Sequence, residues 1–164
     1  MNTFLDIEKK ILQEKNLQKK QIINYLDSSS HLLHKKIENK YELHQACYHN
    51  RLYDVKKILL QRNIDVNLQN ELGQTPLNIA AKLGHLHVVE YLLKKNCLID
   101  LCDNEENTPL HNACFMGHYH IVKILLKFKA STQLENNLGL LPLNYALMVR
   151  GDNYDKIVQL LLNE

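Results

Sequence analysis

An all-α solenoid of stacked helix-turn-helix units, closed by a helical N-terminal cap, is the fold class that the 164-residue sequence predicts. Three observations predict it. The three prolines, Pro76, Pro109 and Pro142, fall 33 residues apart, each is followed by leucine, and Ala80, Ala113 and Ala146 hold one later position of each period. Four of the five glycines keep the same period: Gly84 and Gly117 are 33 residues apart, Gly73 and Gly139 66. Between these markers run apolar residues at i, i+1, i+4 and i+5, Val88, Val89, Leu92 and Leu93 and then Ile121, Val122, Leu125 and Leu126, a spacing that puts one buried stripe on a helix. Self-similarity at such a period marks a repeat array, in which no unit buries its apolar face alone and neighbours complete the core.

Residues 1–40 come first. Phe4, Leu5, Ile7, Ile11 and Leu12 fall on a broad helical stripe, continued by Ile22, Ile23 and Leu26, with Lys9, Lys10, Lys15, Lys19 and Lys20 around it. Asp27-Ser28-Ser29-Ser30 breaks the pattern and offers a cap for a short helix through Leu32, Leu33 and Ile37. The expectation is a cap over the first unit's apolar face. The alternative is a basic amphipathic helix that binds membrane or nucleic acid while the repeats hold a client, a signal diluted by Asp6, Glu8 and Glu14.

Four units follow, at about 41–69, 70–102, 103–135 and 136–164. In the middle two, Thr75-Pro76 and Thr108-Pro109 set a capping hydroxyl before a proline suited to the first helical turn. The first helix runs through Leu77, Ala80 and Ala81, small where a neighbour must come close, and ends at Gly84 or Gly117. Asn96 is expected to end the second helix in a left-handed turn, with short extended segments around Asp65-Val66-Asn67 and Leu98-Ile99-Asp100. The first unit, from Leu43-His44-Gln45-Ala46, lacks the Thr-Pro cap, and its 34-residue step from Ala46 to Ala80 predicts a second helix one residue longer. The last unit has Leu141 at the capping position, a loss of about 1 kcal/mol, and inserts about three residues around Gly151-Asp152-Asn153-Tyr154 before Ile157. Glu106 stands where the neighbouring units have Gly73 and Gly139, so its turn must be strained or of another type.

The strings Gly73-Gln74-Thr75-Pro76-Leu77-Asn78-Ile79-Ala80-Ala81, Gly84-His85-Leu86-His87-Val88-Val89-Glu90-Tyr91-Leu92-Leu93, Asn107-Thr108-Pro109-Leu110-His111-Asn112-Ala113-Cys114 and Gly117-His118 resemble the ankyrin repeat. The resemblance covers residues 41–164 and implies a protein-binding module whose concave face is built from turn tips and first-helix ends. On this sequence the implied helix-end positions are Tyr48 with His49, Lys82 with Leu83, Phe115 with Met116, and Met148 with Val149. The implied tips are Glu71, Leu72 and Gln74; Asn104, Glu105 and Asn107; and Asn137, Leu138 and Leu140. The same resemblance implies structural roles for His85, His118 and His111, so the pairs His85/His87 and His118/His120 are not read as metal ligands. Cys114 takes the place of a small core residue.

Composition narrows the function. Hydrophobic residues make up 45% and charged residues 23%, the balance of an ordinary folded domain. No run of about 18 apolar residues occurs, so no transmembrane segment is expected, and Met1–Lys20 has no continuous apolar stretch of a secretory signal. Residues 1–40 hold eight lysines against five acids and the rest twelve Lys/Arg against thirteen acids, so the repeats are nearly neutral and no nucleic-acid partner is expected. Cys47, Cys97, Cys102 and Cys114 make no C-x-x-C pair, which fits reduced thiols and a cytoplasmic setting, in its own cell or, for an exported effector, in a host's. No G-x-S-x-G, phosphate-loop or H-E-x-x-H motif is present, so neither catalysis, cofactor nor metal is expected. The expected function is a monomeric protein–protein interaction module, an adaptor or effector holding one client protein.

Overall fold

The computed structural model describes residues 40–61, 64–148 and 151–163. The segment expected to form the N-terminal cap or a membrane- or nucleic-acid-binding helix lies outside the described residues, as does Val149. The described residues form eight helices in four pairs: α1 (Glu42–Tyr48) with α2 (Leu52–Ile58), α3 (Pro76–Lys82) with α4 (Leu86–Leu93), α5 (Pro109–Phe115) with α6 (Tyr119–Lys127), and α7 (Pro142–Met148) with α8 (Asp152–Leu162). There is no strand among the described residues. All eight belong to one compact unit, Tyr41–Glu164. The first helices α1, α3, α5 and α7 pack side by side in chain order, and each also packs on its own second helix.

The two periodic stripes meet between these layers. Leu77, Ala80 and Ala81 of α3 and Leu110, Ala113 and Cys114 of α5 are fully enclosed, as are Val88, Val89 and Leu92 of α4 and Val122 and Leu125 of α6. Alanine at the closest approach lets neighbouring first helices come together without a void, and a larger side chain there would strain the stack.

The caps form as the Thr-Pro pairs predict. Thr75 Oγ1 accepts from the Asn78 N–H at 3.1 Å while Asn78 Oδ1 accepts from the Thr75 N–H at 3.0 Å, so two orphan helix-start donors are satisfied reciprocally. Thr108 and His111 repeat the arrangement. In α7 half of it survives without the hydroxyl: the Leu141 N–H still donates to Asn144 Oδ1 at 2.7 Å.

Three expectations are corrected. The helix α2 is not lengthened; at seven residues it is one shorter than α4. The segment at Asp65-Val66-Asn67 is a turn rather than an extended piece, because Asp65 Oδ1 accepts from the Asn67 N–H at 2.8 Å and its carbonyl from Leu68. Ile99-Asp100 is a turn as well. Asn96 has the expected positive φ, 55°, and Lys129 takes the same conformation one period later.

A candidate binding face at the helix ends and turn tips

Each turn tip is organised by one short polar side chain that the sequence reading passed over. Asn70 Oδ1 accepts from the N–H groups of Leu72 and Gln74 at 3.0 and 2.9 Å. Asp103 Oδ1 does the same for Glu105 and Asn107, and Asn136 Oδ1 for Leu138 and Leu140. A backbone ladder closes each loop, from Asn70 N–H to Gln74 carbonyl and at the two equivalent places. The signal was present, since positions 70, 103 and 136 share the 33-residue period. It is hidden because Asn and Asp are common in every loop, and only the pattern of accepted N–H groups separates these three from the rest.

The tips are stitched to one another. Asn104 donates from its backbone to the Leu72 carbonyl and from Nδ2 to the Glu71 carbonyl, both at 3.0 Å. A Cβ on Gly73 (φ 71°) would stand 2.6 Å from the Asn104 backbone nitrogen, so this residue must be glycine for the tips to meet. Glu106 fills the corresponding place in the next tip with φ 60° and the same turn bond to Asp103, so the turn keeps its type and carries the strain. The Asn137 N–H donates to the Glu105 carbonyl at 3.2 Å and joins that tip to the following one.

The ends of the first helices are pinned in the same way. His85 Nε2 donates to the Tyr48 carbonyl and His118 Nε2 to the Lys82 carbonyl, each at 3.1 Å. In the last unit the Tyr154 hydroxyl donates to the Phe115 carbonyl, also at 3.1 Å. Tyr154 thereby replaces histidine, a role the sequence hides because the insertion breaks the register. The Phe115 ring meets Tyr145 of α7 edge to face, with centroids 5.3 Å apart.

On this frame Tyr48 (58%), Phe115 (50%), Met116 (43%) and Met148 (62%) are exposed, and so are Lys82 and Leu83. Leu147, which the sequence reading omitted, is exposed beside Met148. At the tips Glu71, Leu72, Asn104, Glu105, Asn137 and Leu138 are exposed, while Gln74 and Leu140 are half-buried and their carbonyls are engaged by His44 and His111. Asn107 is 7% exposed. It lies beneath the surface because Asn136 Nδ2 donates to its Oδ1 and its own Nδ2 donates to Glu105.

Residues with potential chemistry are used internally. His111 Nδ1 accepts from the Thr108 N–H at 3.2 Å and Nε2 donates to the Leu140 carbonyl at 3.0 Å, so both ring nitrogens are occupied and neither is left to share an ion with Cys114. Burial lowers the His111 pKa and pushes the thiols of Cys47 and Cys114 up to about 12 and that of Cys97 to about 11, which keeps them protonated and poor nucleophiles. Among the described residues no three His, Cys, Asp or Glu side chains gather in a metal-binding group, and no helix is long and apolar enough to cross a membrane. An open groove lined by Leu86, Glu90, His120, Lys123 and Leu160 lies between the second helices, away from the tips.

A family model described as "Ankyrin repeats (3 copies)" matches residues 14–101, 43–136 and 97–164. The first match begins inside the segment that the sequence reading set apart before residue 41. Over 49 residues the chain is 39% identical to Ankyrin repeat domain-containing protein 13B of Mus musculus and of Homo sapiens, which is 30% of this chain. Over 56 residues, 34% of this chain, it is 41% identical to Palmitoyltransferase AKR1 of Lachancea kluyveri. The matched stretch spans 8% of the length of each of these relatives. Ankyrin repeats are generally protein-interaction modules, and their fold is typically a non-catalytic one. From the stacked helix pairs, the pinned tips and the match over most of its length, the chain belongs to the ankyrin-repeat family.

Proposed function

We propose that this protein is a binding module without catalytic chemistry, which holds one client protein on its concave face as an adaptor or an exported effector in a cytosol. The contact set is Tyr48, Lys82, Leu83, Phe115, Met116, Met148 and Val149 at the helix ends, with Glu71, Leu72, Asn104, Glu105, Asn137 and Leu138 at the tips and Gln74 and Leu140 at their bases. One observation carries the reading: each first-helix end exposes a large apolar side chain, Tyr48, Leu83, Phe115 with Met116, and Met148, and hydrogen bonds hold the backbone of the first three ends in place. Single exposed apolar residues are ordinary. A row of them, rich in aromatic and methionine side chains, is what interfaces favour.

Phe115 is the central anchor, since aromatic side chains dominate binding energy at many interfaces. An affinity pull-down from cytosolic lysate with wild type and with Phe115→Ala, Met116→Ala tests the reading, circular dichroism showing that both are folded. Loss of captured proteins from the folded variant supports the face. Capture of the same proteins by both sinks it and turns attention to residues 1–40.

A further inference from the structure

We infer that the segment held on this face is a cationic amphipathic helix of the client, an inference that rests on the binding face proposed above. The charge of the repeats is nearly balanced in sum but separated in space. The three tips, residues 69–75, 102–108 and 135–141, contain Glu71, Asp103, Glu105, Glu106 and Glu135 and no lysine or arginine. All of these but Asp103 are exposed. Most of the lysines gather on the second helices and their ends instead, as Lys56, Lys57, Lys94, Lys95, Lys123 and Lys127, while Lys82 stands at a first-helix end beside Leu83. Because the tips are joined in a row from Glu71 through Asn104 and Glu105 to Asn137, their carboxylates make an acidic edge at the starts of α3, α5 and α7, whose far ends carry Leu83, Phe115 and Met148 of the apolar row. A partner that covers both must be apolar on one side and positive along one flank. An anionic partner such as a nucleic acid is repelled at that edge.

The repeat spacing selects the partner's backbone. Neighbouring first helices in direct contact have axes about 8–10 Å apart. Seven residues of a partner helix advance about 10.5 Å and return to nearly the same face, so apolar residues at i, i+7 and i+14 meet successive units. An extended strand covers the same step in about three residues, which turns the side chain to the opposite face. A helix therefore keeps phase with the row and a strand does not.

The test uses the full chain and two displayed peptide libraries. One holds three-heptad helices with Leu or Phe at i, i+7 and i+14 and flanks varied among Lys, Glu, Gln and Ser; the other holds strand-patterned peptides of the same composition. The inference expects helical binders with lysine-rich flanks. Their affinity should fall at least about tenfold for Phe115→Ala, Met148→Ala. It should fall roughly tenfold for Glu71→Gln, Glu105→Gln, Glu106→Gln, Glu135→Gln and likewise on raising salt, the sum of several weak exposed pairs. Binders that need Phe115 but carry neutral or acidic flanks, or ignore the glutamine variant, overturn the cationic assignment and leave the face standing. Winning strand-patterned peptides overturn the helix. Binders indifferent to Phe115→Ala, Met148→Ala, or the absence of binders, overturn the face and the inference together.

Discussion

In the two middle helix pairs, a histidine at the start of the second helix reaches back to the preceding first-helix end, and a threonine caps the first helix. In the last pair, the reaching group is Tyr154, from within the inserted segment, and the capping position holds Leu141. The phenol is longer than an imidazole and spans the added distance to the same 3.1 Å bond. Of the cap, only the part supplied by Asn144 remains. The bond that fastens a unit to its predecessor is thus conserved through a change of residue, while the local reinforcement of the helix start is relaxed.

The largest expected effect tests that fastening. Gly117 and Gly139 both have φ 69°, but a Cβ on Gly117 would meet the Tyr154 ring at 2.8 Å, whereas on Gly139 the nearest atom is 3.9 Å away. Alanine at either position carries left-handed strain of about 1–2 kcal/mol. At Gly117 it also displaces a ring held by its hydroxyl, adding about 1–3 kcal/mol of overpacking. Urea denaturation should show Gly117→Ala losing about 3 kcal/mol and Gly139→Ala about 1 kcal/mol. Equal losses would mean that the Tyr154 ring moves aside freely and does not fasten the unit.

The second test concerns the caps. Thr108→Ala removes a buried hydroxyl that serves both the His111 N–H and the His111 ring, and should cost about 1–2 kcal/mol. Leu141→Thr places a hydroxyl where Asn144 already waits and should gain about 0.5 kcal/mol, the cap bond offset in part by lost apolar burial. A melting temperature unchanged by Leu141→Thr would show that the last helix start is limited by something other than its cap.

What the sequence made legible follows from the same contrast. Wherever a job requires one residue type at a fixed register, the period reveals it: proline at a helix start, glycine where a ring crosses, alanine between helices. Where a job tolerates several residue types it stays hidden. Tyr154 stands three residues off the histidine register, and Asn70, Asp103 and Asn136 look like ordinary loop residues until their acceptors are counted. The position of Asn107 assigns it to an exposed tip, but the bond from Asn136 Nδ2 to its amide oxygen turns it inward. The near-neutral sum of charge is also a poor guide, because the tips hold acids and no lysine or arginine while most lysines lie on the second helices and their ends.

The smallest effect separates the two middle pairs from each other. Asn78 and His111 occupy equivalent positions and make equivalent bonds, each accepting from a capping threonine and donating to a carbonyl of the next tip, Asn107 or Leu140. Only histidine titrates. His111 Nδ1 faces an N–H that can only donate, so a proton there breaks the cap. Burial lowers its pKa below the usual 6.5, outweighing the opposing pull of the Leu140 carbonyl and the Asp103 carboxylate. His44 is lowered by burial too, and its Nδ1 is enclosed without a hydrogen-bond partner among the described residues. For both, the stabilising effect is fully present above pH 6.5 and is lost as pH falls from there toward the folded-state pKa, because the unfolded chain takes up protons that the folded one refuses. His111→Asn copies the arrangement at Asn78 and removes one of the two groups. Between pH 7 and pH 5, above the range where most carboxylates titrate, its melting temperature should fall less than that of wild type. An identical fall would place the acid sensitivity of the stack elsewhere, with His44 the next position to replace.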